Sequence, residues 1–495
     1  MTPTPVTLHP QKQPAVPIPF DDVLEEIGFG RIQLELIVLC GVIMMAIICE
    51  TMGVSVILPA AKCDLDLTAA KQGLLGGATF LGIMASSYGW GYLSDTRGRR
   101  RVMQYALFGT AVCAVASSFA NDFWSMLVLR LLAGVCASAP SATVYAYLGE
   151  FCSPSKRAQV ISYASVWASV AMVYIALLGW WILQYDWSWA ICTDYQIRPW
   201  RLLFVIYTLP GFGAGLAFRW FPESAKFYLA TGRSDRALEV LRYCYRKNRG
   251  SLTGFEVYAL QEGRGSFDAS LGILRSLWQQ TVPLLRWPTV LYFAVCCFQQ
   301  MSAFAVYGGL GLWYPELMNQ VSSTDRELAV CSVVEHTRST NLILTQEICT
   351  ARINDETFIY ILIMGVFGTV CSISVSILLG KFNPKIMVVV NFSVAAAAGI
   401  VMLFVASRYL IVVLFCLEVI LAGFSMVLIN GTAVSIFPTQ VRAMAVSLSM
   451  MMARLSSFIF SSVIGYFMVD HCEATFYMFS GILIFGAALT VLLPR

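Results

Sequence analysis

Apolar residues along this chain come in long, nearly unbroken runs, not in the alternation of strands or the narrow stripes of soluble helices. Runs long enough to cross a bilayer, which takes ~20 helical residues, occupy 34–60, 70–93, 102–120, 123–149, 159–183, 200–221, 289–314, 357–379, 386–406, 409–431, 441–468 and 473–493. Only helices and closed barrels satisfy their backbone hydrogen bonds in lipid, and these runs are far too long for barrel strands. The pattern predicts an all-α membrane protein with twelve transmembrane helices. The longest polar interruption, 222–287, follows the sixth run and splits the chain into two pseudo-symmetric six-helix bundles. The expected organisation is a tail at 1–33, a first bundle at 34–221, a central loop at 222–287, and a second bundle at 288–495 with an outer loop at 318–356. Parallel six-helix repeats are a recurrent transporter plan.

Composition agrees, with 58% of 495 residues hydrophobic and 13% charged, against about 25% charged in soluble domains. Basic residues mark sidedness, because lysine and arginine are enriched in cytoplasmic loops. Arg97, Arg99, Arg100 and Arg101 follow the second run, Lys156 and Arg157 follow the fourth, and Arg233 to Arg249 stud the central loop. The loops after the third and eleventh runs hold no lysine or arginine, so both termini are expected in the cytoplasm. Residues 1–33 are proline-rich and polar, without the basic-then-apolar order of a signal peptide, and are expected to form a flexible tail. No long basic block points to nucleic acid.

Within the central loop, Gly232-Arg233-Ser234 offers a helix start, and Ala237, Leu238, Leu241, Cys244 and Tyr245 then recur at helical spacing against a basic face. Two readings stay open: an amphipathic helix lying on the membrane surface, or a helix packed on the bundle. Fifteen cysteines show neither metal-binding nor redox spacing, and most are expected to be small core residues. Cys331 and Cys349 in the outer loop are a candidate disulfide, with pairing left open.

The second run ends in Gly91-Tyr-Leu-Ser-Asp95-Thr-Arg97-Gly98-Arg99-Arg100. Its glycines permit close helix approach and a tight turn, and Asp95 at a helix end suits a cation or a helix N-terminus. Such a cluster serves either as a conformational latch or as a plain positive-inside anchor. The stretch resembles the loop signature of the major facilitator superfamily at every fixed position except Thr96. Glu150-Phe-Cys-Ser-Pro154-Ser-Lys156-Arg157 also resembles that superfamily, which implies that Glu150 and Arg157 take part in the inner gate. The second half echoes these elements: Arg442 follows Ser435-Ile-Phe-Pro438, with Ser435 where the acid is expected, and the loop at Gly380-Lys381 keeps little of the signature.

Further segments, among them Glu26-Ile-Gly28-Phe-Gly30-Arg31, Asp186-Trp187-Ser-Trp189, Pro222-Glu223-Ser224 and Trp313-Tyr314-Pro315-Glu316, resemble the synaptic vesicle glycoprotein 2 family and its synaptic vesicle 2-related cousins. The long outer insertion of the glycoprotein 2 proteins is missing, and the Asn-x-Ser/Thr sites at Asn391 and Asn430 fall inside predicted helices. The resemblance implies a central cavity with tryptophans in the fifth and tenth helices. Trp167 matches the first, while Met426 stands at the second and Asn430 at a nearby aspartate. Trp313 and Tyr314 join them as candidates for the solute path.

Four ionisable groups fall inside predicted spans: Glu50, Arg130, Glu418 and Arg454. Such groups cost at least ~2.5 kcal/mol on insertion scales and usually face a cavity, a partner or an ion path. Glu50 is expected to carry a proton for coupling, or else to form a permanent pair with Arg130. Glu418 and Arg454 are expected to pair. No nucleotide loop, metal cluster or nucleophile elbow suggests an enzyme, and no cofactor is implied. The leading expectation is a carrier of a small polar organic solute, a sugar or an organic cation, working by alternating access with proton coupling left open. The alternative is a transporter-shaped vesicle protein acting through unidentified protein partners. Vesicle and plasma membrane both stay open as its location.

Overall fold

A computed structural model describes residues 18–185, 187–192, 195–255, 257–261, 281–324, 327–343, 353–378, 383–468 and 470–494. Cys349, Gly380, Lys381 and Asp186 lie outside the described residues.

The first bundle comprises α2 (Arg31–Ala61), α3 (Ala69–Arg97), α4 (Arg99–Ser118), α5 (Phe123–Gly149) and α6 (Pro154–Leu183), completed by α7 (Pro199–Tyr207) and α8 (Leu209–Ala217). The sixth run, expected as one helix, is two, because Pro210 cannot continue the hydrogen-bond ladder of the preceding turn. A two-stranded hairpin, β1 (Trp189–Cys192) with β2 (Tyr195–Ile197), leads into α7.

The second bundle begins with α11 (Thr289–Phe304), a π-helical turn at Ala305–Leu310 and α12 (Gly311–Ser323). This seventh span therefore runs beyond Pro315, into the region expected as outer loop. The same region holds α13 (Val330–Ile343). Then follow α14 (Asp355–Leu378), α15 (Pro384–Met402), α16 (Arg408–Ile436), α17 (Thr439–Phe467) and α18 (Cys472–Leu489). Ten of these spans are long and apolar enough to cross a membrane by composition alone. The other two are α3, rich in glycine and serine, and α4, which opens on three arginines. Exposed Val366, Val370, Ile373 and Ile377 on α14 repeat at near-helical spacing, the stripe expected of a lipid-facing surface.

The end of the expected flexible tail is structured. Helix α1 (Phe20–Ile27) buries Val23, Leu24 and Ile27, and α10 (Ser234–Arg249) buries Ala237, Leu238, Leu241, Cys244 and Tyr245 in the same apolar cluster. Asn248 ties α10 to the Gln33 side chain and to the Ile32 amide, and Lys247 pairs with Glu35. The apolar stripe of α10 is therefore covered by protein, which decides between the two readings of that helix. Helix α9 (Ala225–Ala230) starts at Ser224, whose side chain accepts from the Phe227 amide.

Disulfides gather at the end of the bundles away from the arginine loops. Cys331 bonds to Cys472, joining α13 to the start of α18, and Cys63 in the turn after α2 is also disulfide-bonded. The candidate bond from Cys331 to Cys349 is thereby corrected: α13 folds back so that Cys331 meets a cysteine 141 residues away in sequence.

Candidate functional site

Between the bundles lies a cavity of about 250 Å³. Its wall is built from α2, α3, α5 and α6 of the first bundle and α11, α14, α16 and α17 of the second, so neither bundle encloses it alone. It reaches from the middle of the helices toward the arginine-rich face. Thr51, Ser141, Tyr145, Ser165, Tyr307 and Asn430 supply polar groups, and Phe80, Met172, Phe304 and Phe424 supply apolar wall.

Two hydroxyl pairs close the seam between α6 and α14: Ser162 with Ser376, and Ser169 with Ser372 at 2.9 Å. The signal was present in the sequence. Ser162, Ser165 and Ser169 follow helical spacing on α6, as do Ser372 and Ser376 on α14. Small polar residues on one face of an apolar helix mark helix contact or a wet cavity.

Of the residues expected on the solute path, Met426 and Asn430 line the cavity. Asn430 accepts from Gln300 Nε2 at 2.8 Å and donates to Met450 Sδ at 3.6 Å. Trp167, Trp313 and Tyr314 do not line it. Trp167 covers Gly41 of α2, where no other residue leaves room for the indole. Trp313 donates to the Ser461 carbonyl at 3.1 Å, and Tyr314 to the Tyr360 carbonyl at 3.0 Å. These aromatics are packing: each fills an inter-helix gap, and Trp313 and Tyr314 satisfy their polar tips on backbone.

On the disulfide-bearing face the bundles are locked together. Gly73 and Gly77 of α3 press on α17, so that a Cβ at Gly73 would lie 2.5 Å from the Ser461 carbonyl oxygen and one at Gly77 2.9 Å from Phe458. Gly465 of α17 meets the Ala69 carbonyl in the same way, at 2.5 Å. Trp180 donates to Asp355 at 3.2 Å, and Lys62 stands 4.0 Å from Glu316.

On the basic face Asp95, Arg99 and Glu150, of the expected latch residues, bond to one another inside the first bundle. Arg99 lies 3.4 Å from Asp95 and 2.8 Å from Glu150. The Arg99 N–H does not point along the shorter contact, which leaves Glu150 Oε2 without a directed hydrogen bond, so charge attraction holds the pair. Burial raises the Glu150 carboxyl above its ordinary value of 4.5, and Arg99 opposes the shift.

Glu150 thus pairs with Arg99 and not with Arg157, which donates to the Gly149 carbonyl at 2.9 Å and reaches Asp21 of α1 at 3.4 Å. Arg442 bonds the Phe437 carbonyl next to its own helix start, and Ser435 bonds the Thr432 carbonyl.

Gly98 has φ +102, a conformation glycine adopts without strain. Gly91 has open space where a Cβ would stand, so it permits no close approach. The residue missed as a site is Glu223. Its carboxylate accepts from the Arg100 amide at 2.9 Å and the Ser224 amide at 3.1 Å, at the N-terminus of α4, where a negative charge is favoured.

The buried ionisable groups divide differently from expectation. Glu50 and Arg130 do pair, at 2.6 Å, with the two side chains 5% and 1% exposed. Arg130 also donates twice to Ser117 Oγ, and its guanidinium lies 4.5 Å from the Phe204 ring centre. Glu418 and Arg454 do not pair. Glu418 is fully buried between Gly399 and Ser480, and neither carboxyl oxygen has a hydrogen-bond partner among the described residues. Arg454 points across the molecule to Ser87 at 3.1 Å and to Ser141. The tenth and eleventh spans turn these side chains to different faces, one into the second bundle and one into the cavity.

The sequence profile of the Major Facilitator Superfamily matches residues 39–461. The chain belongs to the Major Facilitator Superfamily. It is 28% identical over 324 residues to synaptic vesicle glycoprotein 2B of Homo sapiens, covering 60% of this chain and 47% of that protein. To synaptic vesicle glycoprotein 2A of Rattus norvegicus it is 28% identical over 332 residues, covering 62% and 44%. The chain therefore matches under half the length of these relatives. Among solved structures, a partially occluded inward-open xylose transporter XylE from E. coli superposes with TM-score 0.67 at 12% identity, covering 94% of this chain and all of that one. Its inward-open form gives 0.65, with 94% and 96% covered. At such identity the likeness carries the fold alone. This superfamily member is thus a multi-pass membrane protein with the two-bundle transporter architecture, similar in sequence to the synaptic vesicle glycoproteins 2.

Proposed function

We propose that this chain is a secondary carrier that moves a small polar organic solute by alternating access, the two bundles rocking about the central cavity. The observation that carries this reading is the cavity itself. It is walled by both bundles, sealed on the disulfide-bearing face by backbone-close glycine contacts, and bordered on the basic face by latch residues bonded within one bundle. A wall made by two rigid bodies is opened on either face by rotating one against the other. The basic face is the cytoplasmic one in this reading, in keeping with arginine enrichment there and disulfides opposite.

The Glu50–Arg130 pair is the proposed proton site. Protonating Glu50 removes the negative partner from a buried guanidinium, and a buried cation left alone destabilises the arrangement that holds it. The hydroxyl-rich wall and the likeness to proteins titled xylose transporters support a sugar-sized solute. The organic-cation expectation finds no carboxylate on the cavity wall among the described residues.

Uptake into proteoliposomes under an imposed pH gradient tests the reading, with wild type beside Glu50→Gln. Solute accumulation driven by the gradient and lost in Glu50→Gln is the expected result. A folded protein that moves no solute, whatever its charge class, overturns it. The second reading, a vesicle protein acting through partners, is favoured by Ser435, which leaves the second bundle without the acid of a matching latch.

A further inference from the structure

Among the described residues, the one charged side chain on the cavity wall is a cation, Arg454, accompanied there by no aspartate, glutamate, lysine or histidine. It is 8% exposed, and its two terminal nitrogens donate to the hydroxyls of Ser87 and Ser141, which are neutral. No ion pair involves it among the described residues. The other deeply buried arginine, Arg130, has Glu50 as its counter-charge. Glu418, the buried acid of the second bundle, packs between Gly399 and Ser480 and does not reach the cavity. A guanidinium taken out of water without a counter-ion is costly, so a solute of opposite charge gains more in this cavity than a neutral or cationic one.

The neighbouring polar groups can donate as well. Tyr145 is hydrogen-bonded to Ser165 at 3.1 Å, and because the one Ser165 hydroxyl proton also reaches the Ile161 carbonyl at 3.0 Å, either hydroxyl of the pair can be the donor. Tyr307 lines the cavity, and no hydrogen bond involves its hydroxyl among the described residues. Among the described residues, the Asn430 amide nitrogen has only the weak thioether acceptor of Met450. Phe80, Phe304 and Phe424 form apolar wall beside these donors. An inorganic anion would leave that wall unused.

We propose that the solute is a small organic monoanion, a carboxylate on an apolar or aromatic body, with its charge held by Arg454 and its body against the phenylalanines. This rests on the carrier reading for its transport role but not for the binding site. Arg454 belongs to the second bundle and both of its hydroxyl partners to the first. A carboxylate that takes the guanidinium from Ser87 and Ser141 therefore exchanges ties between the bundles for ties to the solute.

The test uses the purified full-length protein and probes that differ in charge. Benzoate, phenylacetate and pyruvate are the anions; benzyl alcohol and benzylamine are the neutral and cationic counterparts of benzoate, and xylose is included. Equilibrium binding of each is measured in detergent, and uptake in proteoliposomes, for wild type, Arg454→Gln, Arg454→Lys and Tyr307→Phe. The expected result is binding of at least one carboxylate in preference to its neutral and cationic counterparts. Arg454→Gln should weaken it about 10-fold or more, while Arg454→Lys retains part of it, because charge-assisted hydrogen bonds carry the contact. Should Arg454→Gln fail to fold, the charge preference of the wild type and a weakening in Tyr307→Phe decide the matter. Binding of no carboxylate, or carboxylate binding unchanged in folded Arg454→Gln, overturns the proposal. Benzylamine or xylose uptake indifferent to Arg454 overturns the anion site while supporting the carrier. Arg454-dependent benzoate binding without uptake supports the site and overturns the carrier.

Discussion

Gly73 offers a direct way to bias the two bundles against each other. A Cβ placed there stands 2.5 Å from the Ser461 carbonyl oxygen, and ordinary van der Waals contact begins near 3.4 Å. Gly73→Ala therefore forces α3 and α17 apart by up to 0.9 Å, the difference of those distances. The obstacle is backbone, which cannot rotate away as a flexible side chain would. Overpacking of this kind costs about 1–3 kcal/mol. In the proposed carrier cycle the contact is made only while the disulfide-bearing face is closed, so that cost falls on one conformation. At about 1.4 kcal/mol per tenfold, the equilibrium shifts about 5- to 150-fold toward the state open on that face. Gly465→Ala, which meets the Ala69 carbonyl at 2.5 Å, should act in the same direction. Spin labels introduced as non-canonical residues at Asp66 and Glu473, both exposed on that face, report the opening as a longer inter-label distance. An unchanged distance distribution, in a variant that melts at the wild-type temperature, would refute the idea that these glycines form the closing contact.

Four further outcomes are expected. Glu50→Ala leaves Arg130 buried without its counter-charge and should destabilise the protein by about 3–5 kcal/mol, read as a lower melting temperature in detergent; a melting point unmoved by the change contradicts a structural role for the pair. Glu418→Met removes two unbonded buried oxygens and should raise stability by about 1–3 kcal/mol, a gain that a fall in melting temperature would rule out. Glu150 is held above its ordinary carboxyl value mainly by burial, so the folded state binds more protons than the unfolded state from about pH 4.5 up to the raised value. Its contribution to stability accordingly falls as pH rises through that window, and Glu150→Gln should flatten this part of a melting-temperature profile; an identical slope in both proteins excludes Glu150 as its source. Peptide mapping without reduction should recover the Cys331 peptide linked to that of Cys472, and recovery of a Cys331–Cys349 link would show the assignment to be wrong.

Much of the architecture was legible from apolar run length alone, because in a bilayer the span of a helix is fixed by the thickness it must cross. Breaks inside spans were not. Pro210 splits the sixth span, and Gly308 in the π turn at Ala305–Leu310 packs against Ser457, a contact that no run length reveals. The Glu50–Arg130 pair was accessible because only a few opposite charges fall at compatible depths. Glu418 and Arg454 lie at similar depths too, and what separates them is the rotation of each helix about its axis, which the nearly uniform apolar runs around them do not encode. The tryptophan candidates failed for a related reason: an aromatic ring fills a gap between helices as readily as it lines a cavity. The serine spacing on α6 and α14 was the more informative pattern. Glu223 was visible only as part of a family-like Pro-Glu-Ser stretch, since its role depends on meeting the N-terminus of α4, whose first residue is more than a hundred positions earlier in the chain.

The seam of serine pairs between α6 and α14 bears on how fast the molecule can work. Each pair joins two hydroxyls that can both donate and accept, so a water molecule replaces either partner without leaving a bare charge. In the proposed carrier cycle, parting these helices is therefore a hydration step, taken one pair at a time. Its rate should respond to heavy water and to osmotic stress, and should be nearly indifferent to ionic strength.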